Sequence, residues 1–235
     1  MGYGPGVTGR GLENVVAQGV SVGQRGAAFV DVDETLVREI TFLSLFGFDA
    51  ERRGELDGPA TLREFFALRE RGMGRAESHR WFYRLWAGRA VADVQRVGRE
   101  WFAARLATPG FFNPAVRQRL QQLAAAGARI VLVSGSFDAA LRPIADEIRA
   151  DDILCTELAV ENGCYTGEVS ATMVGDDKSA ALRAYAERTG IDLSACAAFG
   201  DHHSDTAMFD LVGHPVVVGD RDRALDDYPA ERLPG

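Results

Sequence analysis

The stretch Ala27-Ala28-Phe29-Val30-Asp31-Val32-Asp33-Glu34-Thr35 reads as a short buried strand that runs out into acids. Four consecutive apolar residues with no polar alternation suit a parallel strand covered on both faces. Two carboxylates at i and i+2 beyond its end can turn toward one bound group, provided a cation offsets their repulsion. Taken alone, the pattern is equally a solvated loop or a helix cap supplied by Asp33 or Thr35. The rest of the chain decides between these readings.

Downstream, strand and helix patterns alternate: Arg129 to Val133, a helix over Phe137 to Ala150, Ile153 to Thr156, a helix over Asp177 to Thr189, Ala195 to Phe199, a helix over Ser204 to Leu211, and Pro215 to Val218. Single helices between strands imply right-handed crossovers and a parallel sheet. Leu158 to Val160 and Cys164 to Val169 flank Asn162-Gly163, a strong hairpin signal. Ahead of this region, Asn113 with Pro114 marks a helix start that Gly127 closes. Between Val37 and Thr108 lie all three Trp and the amphipathic stretches Thr61 to Arg71, Glu77 to Trp86 and Val91 to Leu106, with no strand alternation. The expected fold class is α/β: a doubly wound, Rossmann-like parallel sheet formed by residues 26–37 and 110–235, with a helical cap, residues 38–109, inserted after the first strand. The Gly-rich residues 1–25 are expected to be a flexible extension, with a short helix around Leu12 to Gln18.

Three further motifs fall at the same predicted edge, where open α/β sheets bind ligands. Val133-Ser134-Gly135-Ser136-Phe137 ends a strand in small residues and aims a hydroxyl and amides at an anion. Lys178 sits in the first turn of a helix, where a cation is mildly unfavourable to the dipole, so helix stability does not explain it. It is the one Lys among 26 basic residues, the rest being Arg. Gly200-Asp201-His202-His203-Ser204-Asp205 places carboxylates at i and i+4, and oxygen-only ligands suit Mg2+. Adjacent His202 and His203 are expected to point apart, which argues against zinc.

Composition narrows the partners. The net charge of -8 over 235 residues argues against nucleic acid. No apolar run is long enough to span a membrane and the N-terminus lacks a signal-like stretch, so a cytoplasmic protein is expected. Cys155, Cys164 and Cys196 show no C-x-x-C spacing and read as buried free thiols.

In order and spacing, these four motifs resemble those of the haloacid dehalogenase superfamily, in its phosphoserine-phosphatase-like branch (subfamily IB) with a C1-type cap. Asp31 to Val37 is similar to that family's first motif, Val133 to Phe137 to its second, Lys178 to its third and Gly200 through Asp205 to its fourth. The resemblance implies a Mg2+-dependent phosphomonoesterase acting on a small phosphorylated metabolite, as a monomer or homodimer. Asp31 would attack phosphorus to form an aspartyl-phosphate, and Asp33 would protonate the leaving alcohol and then activate water. Ser134, Gly135 and Lys178 would hold phosphoryl oxygens, and Asp31, Asp33, Asp201 and Asp205 the metal.

Departures from the branch bear on substrate. Ile40 stands where phosphoserine phosphatases carry a Glu for the substrate amine, with Glu39 adjacent, and Ser204 stands where Asn is frequent. Arg75, His79, Arg80, Trp81 and Tyr83 are the candidate specificity residues of the cap, although Trp81 at helical spacing also suits core and the Arg residues a solvated face. Phosphotransfer through the same intermediate, phosphoserine hydrolysis and non-catalytic binding of a phosphometabolite are the alternatives.

Overall fold

A computed structural model describes residues 26–54 and 57–235 of the chain. The Gly-rich N-terminal extension and its expected short helix lie outside the described residues. Seven strands form one sheet: β1 (Ala27–Val30), β2 (Arg129–Phe137), β3 (Asp152–Glu161), β4 (Cys164–Ala171), β5 (Ala197–Gly200), β6 (His214–Val218) and β7 (Glu231–Leu233). Their order is β4-β3-β2-β1-β5-β6-β7, and every pairing is parallel except that of β3 with β4. The strand order reverses at β1, which pairs with β2 on one side and β5 on the other. A crevice at the C-terminal end of β1 follows from that reversal.

The apolar run of β1 is buried on both faces. Ala28 and Val30 belong to one core cluster, with Ile130 and Leu132; Ala27 and Phe29 belong to the other, with Val131 and Val133. Alternate residues of a strand face opposite ways, so the unbroken hydrophobic run meets two layers.

Between β1 and β2 in chain order come α1 (Thr41–Arg53), α2 (Gly58–Glu70), α3 (Arg75–Tyr83) continuing into a 3-10 turn at Arg84–Trp86, α4 (Val91–Leu106) and α5 (Pro114–Ala125). The remaining helices are α6 (Asp138–Ile148), α7 (Asp176–Thr189) and the four-residue α8 (Thr206–Phe209). Phe42, Phe46, Phe82, Trp86 and Trp101 of the helical segment join the same cluster as Val30 and Leu132. That segment therefore packs against one face of the sheet through a shared core.

Local signals account for the start of α5 and for the hairpin. Asn113 Oδ1 accepts from the amides of Ala115 (3.0 Å) and Val116 (3.4 Å), and Gly127 leaves α5 at φ 92°. Asn162 and Gly163 turn with φ of 51° and 77°, as a tight hairpin between right-twisted strands requires.

Elsewhere the structure corrects the expectation. β2 runs four residues past Val133 to Phe137, with a register shift against β3 between Ser134 and Phe137. The small Ser134-Gly135-Ser136 lets the backbone bulge without leaving the sheet. β3 continues from Asp152 into the hairpin as one strand, β7 adds an edge that lacks a strand-like run, and the helix expected over Ser204 to Leu211 reduces to a 3-10 turn and α8. Cys196 is buried as a thiol, but Cys155 and Cys164 are half-buried.

The closest approach of α4 to the core depends on Gly98. A Cβ there would lie 2.0 Å from the carbonyl oxygen of Ala139 at the start of α6. Gly98→Ala is expected to lower the unfolding free energy by about 1–3 kcal/mol, since backbone rather than a flexible side chain would have to move. Urea denaturation checks this.

Candidate active site

The parallel register sets the site. Val30 pairs with Leu132 and with Phe199, and the Asp31 amide donates to the Phe199 carbonyl at 2.9 Å. Asp31 and Asp201 therefore follow the ends of β1 and β5, and Ser134 stands beside them where β2 bulges near its C-terminal end. Beyond Asp31 the chain makes a compact loop in which the amides of Leu36 and Val37 both donate to the Val32 carbonyl, each at 3.0 Å. The loop returns Asp33 to the start of α1.

There Asp33 does a second job. Ile40, at the N-cap position of α1, has no side chain that can cap, and Asp33 Oδ1 accepts instead from the Thr41 amide (2.8 Å) and lies 2.6 Å from Thr41 Oγ1. Thr41 Oγ1 also lies 2.8 Å from Ser136 Oγ. A hydroxyl carries one hydrogen and a carboxylate only accepts, so Ser136 donates to Thr41 and Thr41 to Asp33. This leaves Asp33 Oδ2 without a partner on the loop.

Lys178 lies across the centre. Its Nζ donates to Asp31 Oδ1 at 2.6 Å and to Asp205 Oδ1 at 2.7 Å. All three side chains are buried: Asp31 is 7 % exposed, Lys178 4 % and Asp205 1 %. Burial alone would lower the ammonium's pKa, but Asp205 and Asp31 outweigh it and raise it. Burial pushes the Asp31 carboxyl well above its ordinary range, against the opposing pull of Lys178. Asp33 is likewise raised by burial, partly countered by Thr41. Asp201 is pushed up to about 7, by burial and then by Asp205, while Thr35 Oγ1 donates to its Oδ1 at 2.8 Å.

Asp31, Asp201 and Asp205 each bring a carboxylate oxygen within 4.8 Å of the others. Buried acids crowded in this way, with one ammonium between them, leave negative charge that a divalent cation would neutralise. The donor set is oxygen only and fits a hard ion. Asp205 is the most committed of the three: its Oδ1 meets Lys178 and its Oδ2 accepts from the His202 amide at 3.2 Å. Gly200 is required beside it, because a Cβ there would come within 2.5 Å of Asp205 Oδ2.

At the second motif, Ser134 is fully buried and its Oγ accepts from the Ser136 amide at 3.0 Å. The Gly135 carbonyl receives three donors: Tyr83 OH at 2.7 Å, Thr156 Oγ1 at 2.9 Å and His79 Nδ1 at 3.2 Å. Two of them come from α3, so the helical segment fixes the orientation of the Gly135-Ser136 peptide.

The other candidates separate into those near this centre and those away from it. Arg75 reaches His202 Nδ1 (3.1 Å) and Ser204 Oγ (3.3 Å), bridging α3 to the fourth motif. Tyr83 and His79 are buried beside Gly135. Arg80 is exposed, and Trp81 is half-buried against the core. Glu39 pairs with Arg105 at 3.2 Å and accepts from Ser44, and it lines with Ile40 a groove between α1, α2 and α4.

His202 and His203 do not point apart. Their ring centroids are 4.0 Å from each other, and Asp222 Oδ2 lies 2.8 Å from His203 Nδ1 and 3.8 Å from His202 Nε2. His202 Nδ1 accepts from the Ser204 amide, which caps the 3-10 turn His203–Asp205 and puts the neutral ring's proton on Nε2, toward Asp222. Asp222 braces the turn through hydrogen bonds to the His203 amide and ring, while His202 caps it.

A doubly wound sheet whose switch-point edge gathers paired aspartates, a small-residue turn and a buried lysine defines a hydrolase-type α/β enzyme site. The chain belongs to the haloacid dehalogenase-like hydrolase family, whose model matches residues 28–210. It is 31% identical over 208 residues to an "Inhibition of morphological differentiation protein" of Streptomyces azureus, covering 86% of this chain and 74% of that one. A probable phosphatase of Mycobacterium tuberculosis is 31% identical over 213 residues, covering 86% and 71%. Among solved structures, a Bordetella pertussis protein of unknown function superposes with a TM-score of 0.79 at 17% identity, covering 89% of this chain and 98% of that one. A substrate-bound phosphoserine phosphatase does so with a TM-score of 0.65 at 20% identity, covering 89% and 92%. No helix among the described residues is long and apolar enough to cross a membrane.

Thr41 and Thr156 have no counterpart among the expected residues, and Thr35, noted as an alternative helix cap, instead donates to Asp201. Only the six-residue gap from Thr35 to Thr41, with a hydroxyl opening an apolar helix, hints at Thr41. Thr41→Val is expected to cost about 1–2 kcal/mol of stability. In its background Ser136→Ala should cost less than it does alone, because the two hydroxyls share one chain of donors. Chemical denaturation of the four proteins of that cycle measures both.

Proposed function

We propose that the protein is a Mg2+-dependent phosphomonoesterase that hydrolyses a small phosphorylated metabolite, with Asp31 as nucleophile. The observation that carries this reading is the Asp31–Lys178–Asp205 bridge, buried at the switch point beside Asp201. A nucleophilic carboxylate needs exclusion from water and positive charge to offset the rise that burial imposes on its pKa; Lys178 supplies part of that charge and a bound Mg2+ would supply the rest.

In this reading Asp31 Oδ1 stays against Lys178 and Oδ2 attacks phosphorus in line, forming an acyl phosphate as the ester oxygen departs. The leaving oxygen takes its proton from Asp33. That residue suits the role because its Oδ1 is anchored by Thr41, which leaves Oδ2 to carry the proton, and burial raises its pKa. A water then gives its proton back to Asp33 and attacks the acyl phosphate, restoring Asp31. Ser134, the Gly135 amide and Lys178 hold the phosphoryl oxygens, where charge stays through both steps. Asp31, Asp201 and the Asp33 carbonyl would hold Mg2+, with Asp205 in support; the ion supplies charge neutralisation at the phosphoryl group. The helical segment acts as the cap, through α3.

Relatives include chains named phosphoserine phosphatase, one of them from Streptococcus thermophilus at 30% identity over 190 residues. Phosphoserine is not the favoured substrate here. Ile40 offers no charge for an ammonium, and Glu39 is engaged by Arg105 and Ser44.

The protein is expected to release phosphate from an aryl phosphate only with Mg2+, and Asp31→Asn to reduce turnover at least about a thousandfold. Turnover that persists under chelation or in that variant would overturn the reading. Lys178→Arg is expected to lose about a hundredfold or more, since a planar fork cannot occupy the position of a point charge held at 2.6 and 2.7 Å by two carboxylates.

The metal-free protein gives a separate test. A carboxyl whose folded pKa is raised contributes stability below its unfolded pKa and loses it as pH rises through the folded value, here about 7 for Asp201. Saturating Mg2+ should therefore raise the Tm more at about pH 8 than at about pH 5.5. Thermal scans with and without the ion measure the difference.

A further inference from the structure

His79 is 4 % exposed and is held by Phe42, Tyr83 and Phe65, with ring centroids at 4.7, 6.1 and 6.5 Å. Its Nδ1 lies 3.2 Å from the Gly135 carbonyl oxygen. A carbonyl only accepts, so Nδ1 carries a hydrogen, and in the neutral ring the lone pair sits on Nε2.

The ring lies edge-on to Gly135, where a Cβ would come within 2.8 Å of Cε1 and 3.3 Å of Nδ1. Nε2, the next atom along from Cε1, is therefore beside the phosphate-binding turn. No group among the described residues pairs with Nε2, which leaves its lone pair free to accept. Burial, then Arg75, with Arg69 and Lys178 adding to it, holds the imidazole down to about 3 against the Gly135 carbonyl. The ring is neutral at working pH, in a positive field.

We infer that His79 is a specificity-determining residue whose Nε2 accepts a hydrogen bond from a neutral hydroxyl on the alcohol part of the phosphate ester. The inference rests on the phosphomonoesterase reading and narrows it. An acceptor in a buried site selects for a donor and discriminates against substrates that lack one. An ammonium would supply donors too, but Arg75 and Arg69, whose charges also reach His79, repel it, and Ile40 offers no carboxylate to offset them. The substrate class is a small hydroxylated phosphomonoester of the polyol phosphate kind.

Two measurements on the full chain test this. The first is the 15N spectrum of the imidazole side chains at about pH 7, with His79 assigned by its loss in His79→Asn. Nδ1–H with an unprotonated Nε2 is expected, and Nε2 should shift on adding glycerol phosphate but not propyl phosphate. An Nε2–H tautomer, an imidazolium, or equal responses to the two esters would overturn the inference. This arm does not depend on turnover, so it still decides if no ester is hydrolysed and the phosphatase reading falls.

The second is the kcat/KM ratio of glycerol phosphate to propyl phosphate. A ratio of at least about tenfold is expected in the native protein, falling about tenfold in His79→Asn. Asn retains a donor for the Gly135 carbonyl and has no atom at the Nε2 position. His79→Gln, which can place an amide oxygen there, should keep part of the preference. An undiminished ratio in folded His79→Asn, or a native preference for phosphoethanolamine over glycerol phosphate, refutes the assignment.

Discussion

One buried ammonium holds two carboxylates at the end of the first strand, and much of the surrounding structure answers to that. Lys178 cannot be solvated where it lies, so Asp31 and Asp205 must approach it to 2.6 and 2.7 Å. The bridge joins elements far apart in the chain: the end of β1, the first turn of α7 and the turn before α8. A lysine near a helix N-terminus is locally unfavourable, and Asp176 and Asp177 in the same turn offset part of that cost. In a chain that uses Arg at its 25 other basic positions, the exception falls where space admits a point charge and not a fork.

Polar contacts also couple the helical segment to the sheet edge. Asp33 caps α1 from eight residues upstream, so an acid of the first motif also fixes the start of the helical segment. At the second motif, Tyr83 and His79 of α3 converge with Thr156 of β3 on a single carbonyl. Arg75 makes a third link, to His202 and Ser204. Displacing α3 would therefore disturb both the anion-binding turn and the turn that carries Asp205.

Much of this was legible in the sequence because it is local. The apolar run of β1, the Asn113-Pro114 start of α5 and the Asn162-Gly163 turn each carry their signal within a few residues. So do the acids at strand ends, since β1 and β5 deliver Asp31 and Asp201 wherever the sheet forms. Long-range partners were not legible. Thr41, Thr35 and Thr156 are ordinary helix, loop and strand residues until the fold brings a carboxylate or carbonyl to them. Helix α1 escaped separate reading because Phe42, Leu43, Leu45 and Phe46 are too uniformly apolar to mark a face, and its cap comes from a distant residue. The histidine pair failed for another reason: adjacent residues diverge in regular structure, but His202 is extended at φ -130° before a 3-10 turn, and Asp222 draws the rings together.

The electrostatic layout then assigns different work to the two sides of the site. On the sheet edge, Asp31, Asp33, Asp201 and Asp205 crowd a single ammonium, an arrangement suited to a dication and a phosphoryl group arriving together. On the α3 side, Arg75 is the charged group at the edge and His79 is neutral, with no acid facing them from Ile40. A substrate bound between the two sides meets negative charge at its reacting end and positive charge at the other. Such a field favours an alcohol portion that is neutral or anionic, and it disfavours an ammonium wherever the remaining contacts are hydrogen bonds. In the proposed mechanism chemistry and selectivity rest on separate elements, the strand ends and α3, joined through the Gly135 carbonyl. On that reading a changed residue on α3 can leave the charges at the strand ends in place.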